Sequence, residues 1–317
     1  MLRYILKRLG LAAITLFLLS VIVFGLSQLL PGNVARAVLG QFATQEAMDS
    51  FNHQVGADRP AIVQYLDYMR GFVQGDLGLS LASEAPVWSI LEPAIINSLK
   101  LAALAFVLVV PLSILGGIAA GLRAGTGSDR SITIFGLSMS AMPEFVTGII
   151  LILVFTIWLG WLPVTAQWNE GAGPLTQVKH LLLPSICLAL VLFGYIARIT
   201  RAGVIEAVDA DYTRTAYLKG LPTQTVIRRH VLRNALLPTL AVVATQTSYL
   251  VGGLLIVEQL FNYQGIGLQI YLSAQQKDFT VLTSGLLLLG VLVLIVTLVA
   301  DIVYGLLNPR IRFGSAE

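Results

Sequence analysis

The sequence predicts an all-α integral membrane protein with six transmembrane helices. Three observations lead there. The 317 residues are 56% hydrophobic and only 12% charged, where a water-soluble domain carries about twice that charged share. Uncharged apolar runs recur at about the twenty-residue length that lets a helix cross a hydrocarbon layer. The basic residues gather in alternate connectors: 14 of the 20 Lys and Arg fall in the N-terminus, the turn Arg123–Arg130, the stretch Arg198–Pro238 and the tail. That asymmetry places those four segments on the cytoplasmic side and both termini inside. The net charge of +3 therefore reports topology rather than nucleic-acid binding. The single Cys187 sits in an apolar run, which leaves no disulfide framework and no cysteine-based metal site.

Taken in order, Met1–Arg8 is a short basic cytoplasmic start, and residues 9–30 are the first span. A basic start before an apolar run also fits a signal peptide, and Ala35-Arg36-Ala37 resembles a cleavage site. The run is longer than a signal core of about 7–15 residues, so it is read as an anchor. Residues 31–97 form a long extracytoplasmic loop with three basic and seven acidic residues. Within it, Asp58 and Pro60 mark a helix start. Ile62, Tyr65, Leu66, Met69, Phe72 and Val73 follow at helical spacing. This amphipathic helix is expected over the extracytoplasmic mouth, packed either on the protein's own helix ends or against an external partner.

Residues 98–317 hold the remaining core. Leu101–Leu122 is the second span, with Gly116, Gly117 and Gly121 available for close helix packing. Ser131–Trp161 is the third, interrupted by Ser140-Ala141-Met142-Pro143-Glu144. A proline within a span kinks it and frees backbone groups, which are tolerated where they line a cavity or find new partners. A carboxylate in an apolar stretch is a functional candidate by default. Ser140, Pro143 and Glu144 are therefore the candidate pathway residues, the alternative being that Glu144 lies at the interface or against a neighbouring subunit. Leu181–Ala197 is the fourth span, Leu236–Val257 the fifth, starting at Pro238, and Phe279–Leu307 the sixth, with Asp301 near its end. Glu258–Asp278 reads as an external re-entrant or surface loop.

The stretch 198–235 carries seven Lys or Arg against three acids. At roughly 2.5–3.5 kcal/mol per charge at the bilayer centre it cannot span. Its grammar is helix, stop, helix. Asp211 is placed to cap a short helix over Tyr212–Lys219; Gly220 suits the left-handed residue that ends helices, and Pro222 blocks continuation. A second basic helix runs from Thr223 to about Asn234. The pair makes a knob suited to being pushed or pulled by a partner.

No phosphate-binding G-x-x-x-x-G-K-[ST] loop is present, so the chain is not expected to hydrolyse ATP. Neither a zinc-protease motif nor a Ser/His/Asp grouping is found, and no catalytic or metal residue is assigned. The three histidines fall in or beside loops. Acids at membrane depth are few and no internal repeat is evident, which argues against a self-sufficient secondary carrier or channel.

Asp211-Tyr212-Thr213-Arg214-Thr215-Ala216-Tyr217-Leu218-Lys219-Gly220-Leu221 followed by Arg233-Asn234-Ala235-Leu236-Leu237-Pro238 resembles the coupling loop of ABC-importer permeases, in the form of the dipeptide/oligopeptide/nickel branch. Other stretches are similar to that branch over nearly the whole chain: Leu30-Pro31-Gly32, Gln64-Tyr65, Gly75-Asp76-Leu77-Gly78-Leu79-Ser80, Glu258 with Phe261, Gly265-Ile266-Gly267 and Asp278, and Asn308-Pro309-Arg310. Asn33 and Asn308 stand where the branch commonly has Asp. The long loop at 31–97 favours the long-external-loop subunit of the permease pair. The resemblance implies a type I ABC-importer permease fold in a bacterial cytoplasmic membrane. It implies a second homologous permease, two ATP-binding subunits that hold ATP and Mg, and an extracytoplasmic substrate-binding protein. ATPase coupling falls to Asp211, Tyr212, Arg214, Thr215, Ala216, Lys219 and Gly220. The implied substrate is a dipeptide or oligopeptide, with nickel, glutathione or oligosaccharide as alternatives.

Overall fold

The computed structural model describes residues 2–29, 35, 42–54, 56, 58–169 and 171–307. The Leu30-Pro31-Gly32 landmark, Asn33, Arg36, Ala37 and the tail from Asn308, with Arg310 and Arg312, lie outside the described residues. Helices dominate: α1 Leu2–Leu29, α2 Gln45–Gln54, α3 Ala61–Gln74, α4 Val87–Leu122, α5 Gly127–Ala141, α6 Glu144–Leu151, α7 Pro174–Asp209, α8 Asp211–Leu218, α9 Thr223–Val226, α10 Leu232–Leu260, α11 Ile266–Gln276 and α12 Phe279–Leu307. Wider π-helical turns extend α6 over Ile152–Trp158 and join α9 to α10 over Ile227–Val231.

Among the described residues, five helical stretches are long and apolar enough to cross a membrane, in α1, α4, α7, α9–α10 and α12, and α5 with α6 make a sixth when counted as one broken span. The break is sharper than the kink expected within Ser131–Trp161. The two halves are bent by 112°. Met142 is extended (φ −83°, ψ 136°), because the proline ring disfavours helical geometry in the residue before it, and Pro143 (φ −59°, ψ 140°) holds the non-helical N-cap position of α6.

Two further boundaries differ from the sequence reading. The fourth span does not end its helix at Ala197; α7 continues for 36 residues in all, to Asp209. Charges mark where a helix leaves lipid, not where it ends. The fifth span does not begin at Pro238, which lies inside α10. The basic helix from Thr223 runs into it without interruption through the π-helical turn.

The chain divides into two compact units, Met1–Ser98 with Gln264–Leu294 and Leu99–Tyr263 with Ile295–Glu317. In the first, Leu77, Val87, Leu91 and Val281 form a buried cluster. The stretch Glu258–Asp278 is not a surface loop: it is the end of α10, a turn and α11. Asp278 is buried and accepts hydrogen bonds from Ser80 Oγ at 2.5 Å, from the backbone N–H of Leu81 at 3.2 Å and from that of Val281 at 3.2 Å. One carboxylate thus caps the start of α12 and pins the loop after α3. The helix expected near Asp58 and Pro60 is α3, with Pro60 at its N-cap and left-handed Gly75 (φ 82°) at its C-cap. Its Tyr65, Tyr68, Met69 and Phe72 are partly buried, whereas Ile62, Leu66 and Val73 are exposed.

In the second unit α7 is the central element. Small residues bring its neighbours close. A methyl group at Gly117 of α4 would lie 2.5 Å from Thr200 Cβ, and one at Gly203 would lie 2.5 Å from the Ala235 carbonyl oxygen of α10. Only glycine permits these approaches, the device by which helices associate in lipid. The packing reading of Gly117 and Gly121 holds. In the turn after α10, Tyr263 is buried against Trp168, ring centroids 5.9 Å apart. Burial, with the Glu258 carboxylate adding to it, pushes the Tyr263 phenol above its ordinary range.

Candidate coupling site

The basic connector is a clamped helix rather than a loose loop. α8 starts at Asp211, with Ala210 at the N-cap position in extended geometry (φ −72°, ψ 146°) and no side-chain cap. Asp211 therefore does not cap; it occupies the first turn, where its charge complements the helix dipole. The predicted stop is present. Gly220 is left-handed (φ 74°), its N–H donates to the Tyr217 carbonyl at 2.9 Å, and the Leu221 N–H donates to that of Ala216 at 3.3 Å. This doubled closure satisfies carbonyls that the helix end leaves free.

One side of α8 is fixed. Ala216 packs with Val204 and Ala207 of α7, Val226 of α9, Val231, and Ala235 of α10, with Leu221 alongside. Thr213 Oγ1 donates to the Ala207 carbonyl oxygen at 2.7 Å and is buried. The other side is open: Asp211, Tyr212, Arg214, Thr215, Tyr217, Leu218, Lys219 and Gly220 are all exposed. Of the seven coupling candidates only Ala216 points inward. Thr213 escaped the sequence reading, although its three-residue spacing from Ala216 is the signal that puts both on one face.

A second anchor also went unseen. Arg201 of α7 grips Asp129 of α5 with both arms, Nε to Oδ1 at 2.5 Å and Nη2 to Oδ2 at 2.7 Å. The Gly125 N–H donates to the same carboxylate at 2.9 Å. The Asp129 side chain is 3% exposed and that of Arg201 31%. Paired charges with the remaining lone pairs satisfied are tolerated at such depth. Nothing in the spacing of two charges 72 positions apart announces the contact.

The pathway candidates share the elbow between α5 and α6. Ser140 Oγ donates to the Val191 carbonyl at 2.9 Å, so its hydroxyl proton is engaged with α7. Glu144 opens α6 and is half-buried. Its backbone carbonyl accepts from Cys187 Sγ at 3.3 Å. Its carboxylate lies over bare backbone: a methyl group at Gly253 of α10 would sit 2.9 Å from Oε1.

Apolar spans joined by a short helix with a clamped underside and an exposed outer face make this a multi-pass membrane protein with one helical knob open to a partner. Residues 113–313 match the model of the binding-protein-dependent transport system inner membrane component. Residues 1–102 match the N-terminal model of the same transport system's membrane component. The chain belongs to this family: it is a multi-pass inner membrane permease subunit of an ABC importer, a class that works with ATPase and substrate-binding partners and is not itself an enzyme. It is 35% identical to the di/tripeptide transport system permease protein DppB of Pseudomonas aeruginosa (strain UCBPP-PA14), over 98% of this chain and 99% of that one. It is 34% identical to the glutathione transport system permease protein GsiC of Escherichia coli (strain K12), over 99% and 100%. A chain from the crystal structure of an amino acid ABC transporter with histidines aligns over 69% of this chain and 92% of that chain, at 17% identity and a TM-score of 0.49.

Proposed function

We propose that the chain carries short peptides across the cytoplasmic membrane and is driven through α8 by a docked ATPase. The observation behind this reading is the division of α8 into a fixed underside, Thr213 and Ala216, and an open face of Tyr212, Arg214, Thr215, Tyr217, Leu218 and Lys219. A helix held that firmly transmits a push to α7 and α10 instead of absorbing it. Its aromatic and aliphatic groups fit an apolar groove, and Arg214 and Lys219 can pair with acids around the rim.

In this reading a second homologous permease completes the pathway, and two ATP-binding subunits, rather than this chain, hold ATP and Mg. An extracytoplasmic binding protein delivers the peptide. Both termini and α8 face the cytoplasm. Closure of the ATPases draws the two coupling knobs together and opens the pathway outward; hydrolysis releases it inward. The relatives named for di/tripeptides and for glutathione share one ligand chemistry, a short peptide, and that is the substrate class assigned.

The test is purification in mild detergent, identification of bound subunits by mass spectrometry, and an ATPase assay with peptide-loaded binding protein. Recovery of a second permease and ATPase, with hydrolysis stimulated by peptide, is expected. Recovery of the chain alone with transport retained in liposomes would overturn the reading. Glu144 is assigned to the pathway through its place at the elbow. Glu144→Gln is expected to reduce peptide-stimulated uptake and hydrolysis together; if both stay unaltered, Glu144 is structural.

A further inference from the structure

We propose that α3, Ala61–Gln74, lies within the bilayer as an interfacial helix whose exposed apolar stripe faces lipid acyl chains. The helix does not rest on top of the spans. The Tyr65 hydroxyl is hydrogen-bonded to Ser20 Oγ of α1 at 2.8 Å, and its ring meets that of Phe24 with centroids 5.4 Å apart. The Tyr68 hydroxyl is hydrogen-bonded to Ser284 Oγ of α12 at 3.3 Å. At 1.5 Å per residue, Phe24 lies about 7 Å and Ser20 about 13 Å inside the Leu29 end of α1. By the same rise Ser284 lies about 7 Å inside the Phe279 end of α12. Leu19 of α1 meets Gly290 of α12, each roughly 16 Å from its own end, so the two ends are level. Three contacts of the two tyrosines, two through hydroxyls and one through a ring, therefore reach below the ends of two apolar spans, while Gln64 meets Gln28 near the α1 end at 3.1 Å.

The circumference of α3 falls into three arcs at about 100° per residue. Tyr65, Tyr68, Met69 and Phe72 form the packed arc. Arg70, Gln74 and Asp67 form a polar arc, with Asp67 paired to Arg59 at 3.3 Å and both side chains exposed. Between them lie Ile62, Leu66 and Val73, within about 40° of one another, exposed by 70, 59 and 79%. At the same depth α1 exposes Leu18, Ile22 and Leu26. The stripe on α3 thus continues the lipid-facing surface of a span. An apolar arc set between a packed arc and a charged arc is the pattern of a helix lying in the membrane plane. The occupant is the acyl-chain layer, because the tyrosine contacts fix the stripe at hydrocarbon depth, where an aqueous partner does not reach.

The experiment uses the assembled importer in phosphatidylcholine/phosphatidylglycerol nanodiscs, with nitroxide labels on Ile62→Cys, Leu66→Cys, Val73→Cys and, on the polar arc, Asp67→Cys. The unsubstituted chain, with Cys187 buried, serves as blank. Collision with oxygen is expected to exceed collision with a water-soluble nickel chelate severalfold at positions 62, 66 and 73, and the order to reverse at position 67. Chelate access at the three apolar positions would mean a water-facing stripe and overturn the proposal; low access to both reagents would mean a protein cover and overturn it equally. Leu66→Trp, read by quenching from brominated acyl chains, answers the same question without a label. Quenching no stronger than in the unsubstituted chain would also overturn it.

Discussion

The most apolar window of α12 has a mean hydropathy of 3.0 and is 6% buried, whereas that of α7 has 2.1 and is 67% buried. The more hydrophobic helix is the less enclosed one. In water that order would be reversed, but lipid solvates leucine as well as a protein interior does, so hydropathy does not draw helices together. Close approach decides instead. α7 buries Ser185, Ala189, Gly194, Ala197, Thr200, Gly203 and Ala207, small residues that admit neighbouring backbones. The more open half of α12 carries Val291-Leu292-Val293-Leu294-Ile295-Val296, bulk that suits acyl chains.

The largest effect that sharpens this contrast is expected at Gly203. Its first side-chain carbon would lie 2.5 Å from the Ala235 carbonyl oxygen, and a backbone atom cannot swing aside. Gly203→Leu is expected to destabilise by at least the 1–3 kcal/mol or so typical of overpacking, read as lost detergent-extracted yield and a lower Tm. Ile295→Leu on exposed α12 should stay within about 0.5 kcal/mol of the parent. Equal melting behaviour of the two variants would break the comparison.

Next comes the open face of α8, which behaves neither as core nor as lipid surface. Leu218 is 81% exposed, on a helix whose underside is fixed. Leu218→Asp or Arg214→Glu is expected to weaken ATPase capture by about 2 kcal/mol, roughly thirtyfold, if the face is a docking hot spot. The melting of the permease itself should not move. Titrating the ATPase onto immobilised permease measures the first and a thermal scan the second. Undiminished capture with both variants would remove α8 from the interface.

The same contrast explains what could be read in advance. Apolar run length gave the spans, and Gly220 with Pro222 gave the end of α8, because each depends on local chemistry alone. The coupling candidates came from a motif, and six of the seven do face outward. Pairings between distant residues are not legible in this way: Asp129 with Arg201, Asp278 with Ser80, Tyr65 with Ser20. Helix continuity was misjudged twice for one reason. Arg198 and Pro238 mark the exit from lipid and a missing N–H, and neither forces a helix to stop when flanking turns are packed. The 112° elbow was announced only as a kink, since Pro143 shows that a helix breaks and not by how much.

A smaller effect is expected where α3 meets α12. Tyr68→Phe removes the hydroxyl bonded to Ser284 and leaves the ring in place against Phe72. A single neutral hydrogen bond contributes about 1 kcal/mol, so the Tm should fall modestly. Ser284→Ala should fall by a similar amount and the double variant by little more. Fully additive losses would show that the two hydroxyls do not depend on each other.

The smallest effect separates two ion pairs of the same chemistry. Arg59 and Asp67 touch through one nitrogen at 3.3 Å with side chains 57 and 60% exposed, whereas Asp129 is 3% exposed and held by both arms of Arg201. Water and salt screen the first, and holding two long side chains in register offsets what attraction remains. Arg59→Ala is therefore expected to change stability by no more than about 0.5 kcal/mol, and added salt should erase even that. Arg201→Ala leaves a buried carboxylate without its cation, so its Tm loss should be clear at low and high salt alike. Thermal scans of both variants across a salt series decide the matter. A salt-independent loss at Arg59 would mean that the outer pair is shielded from water.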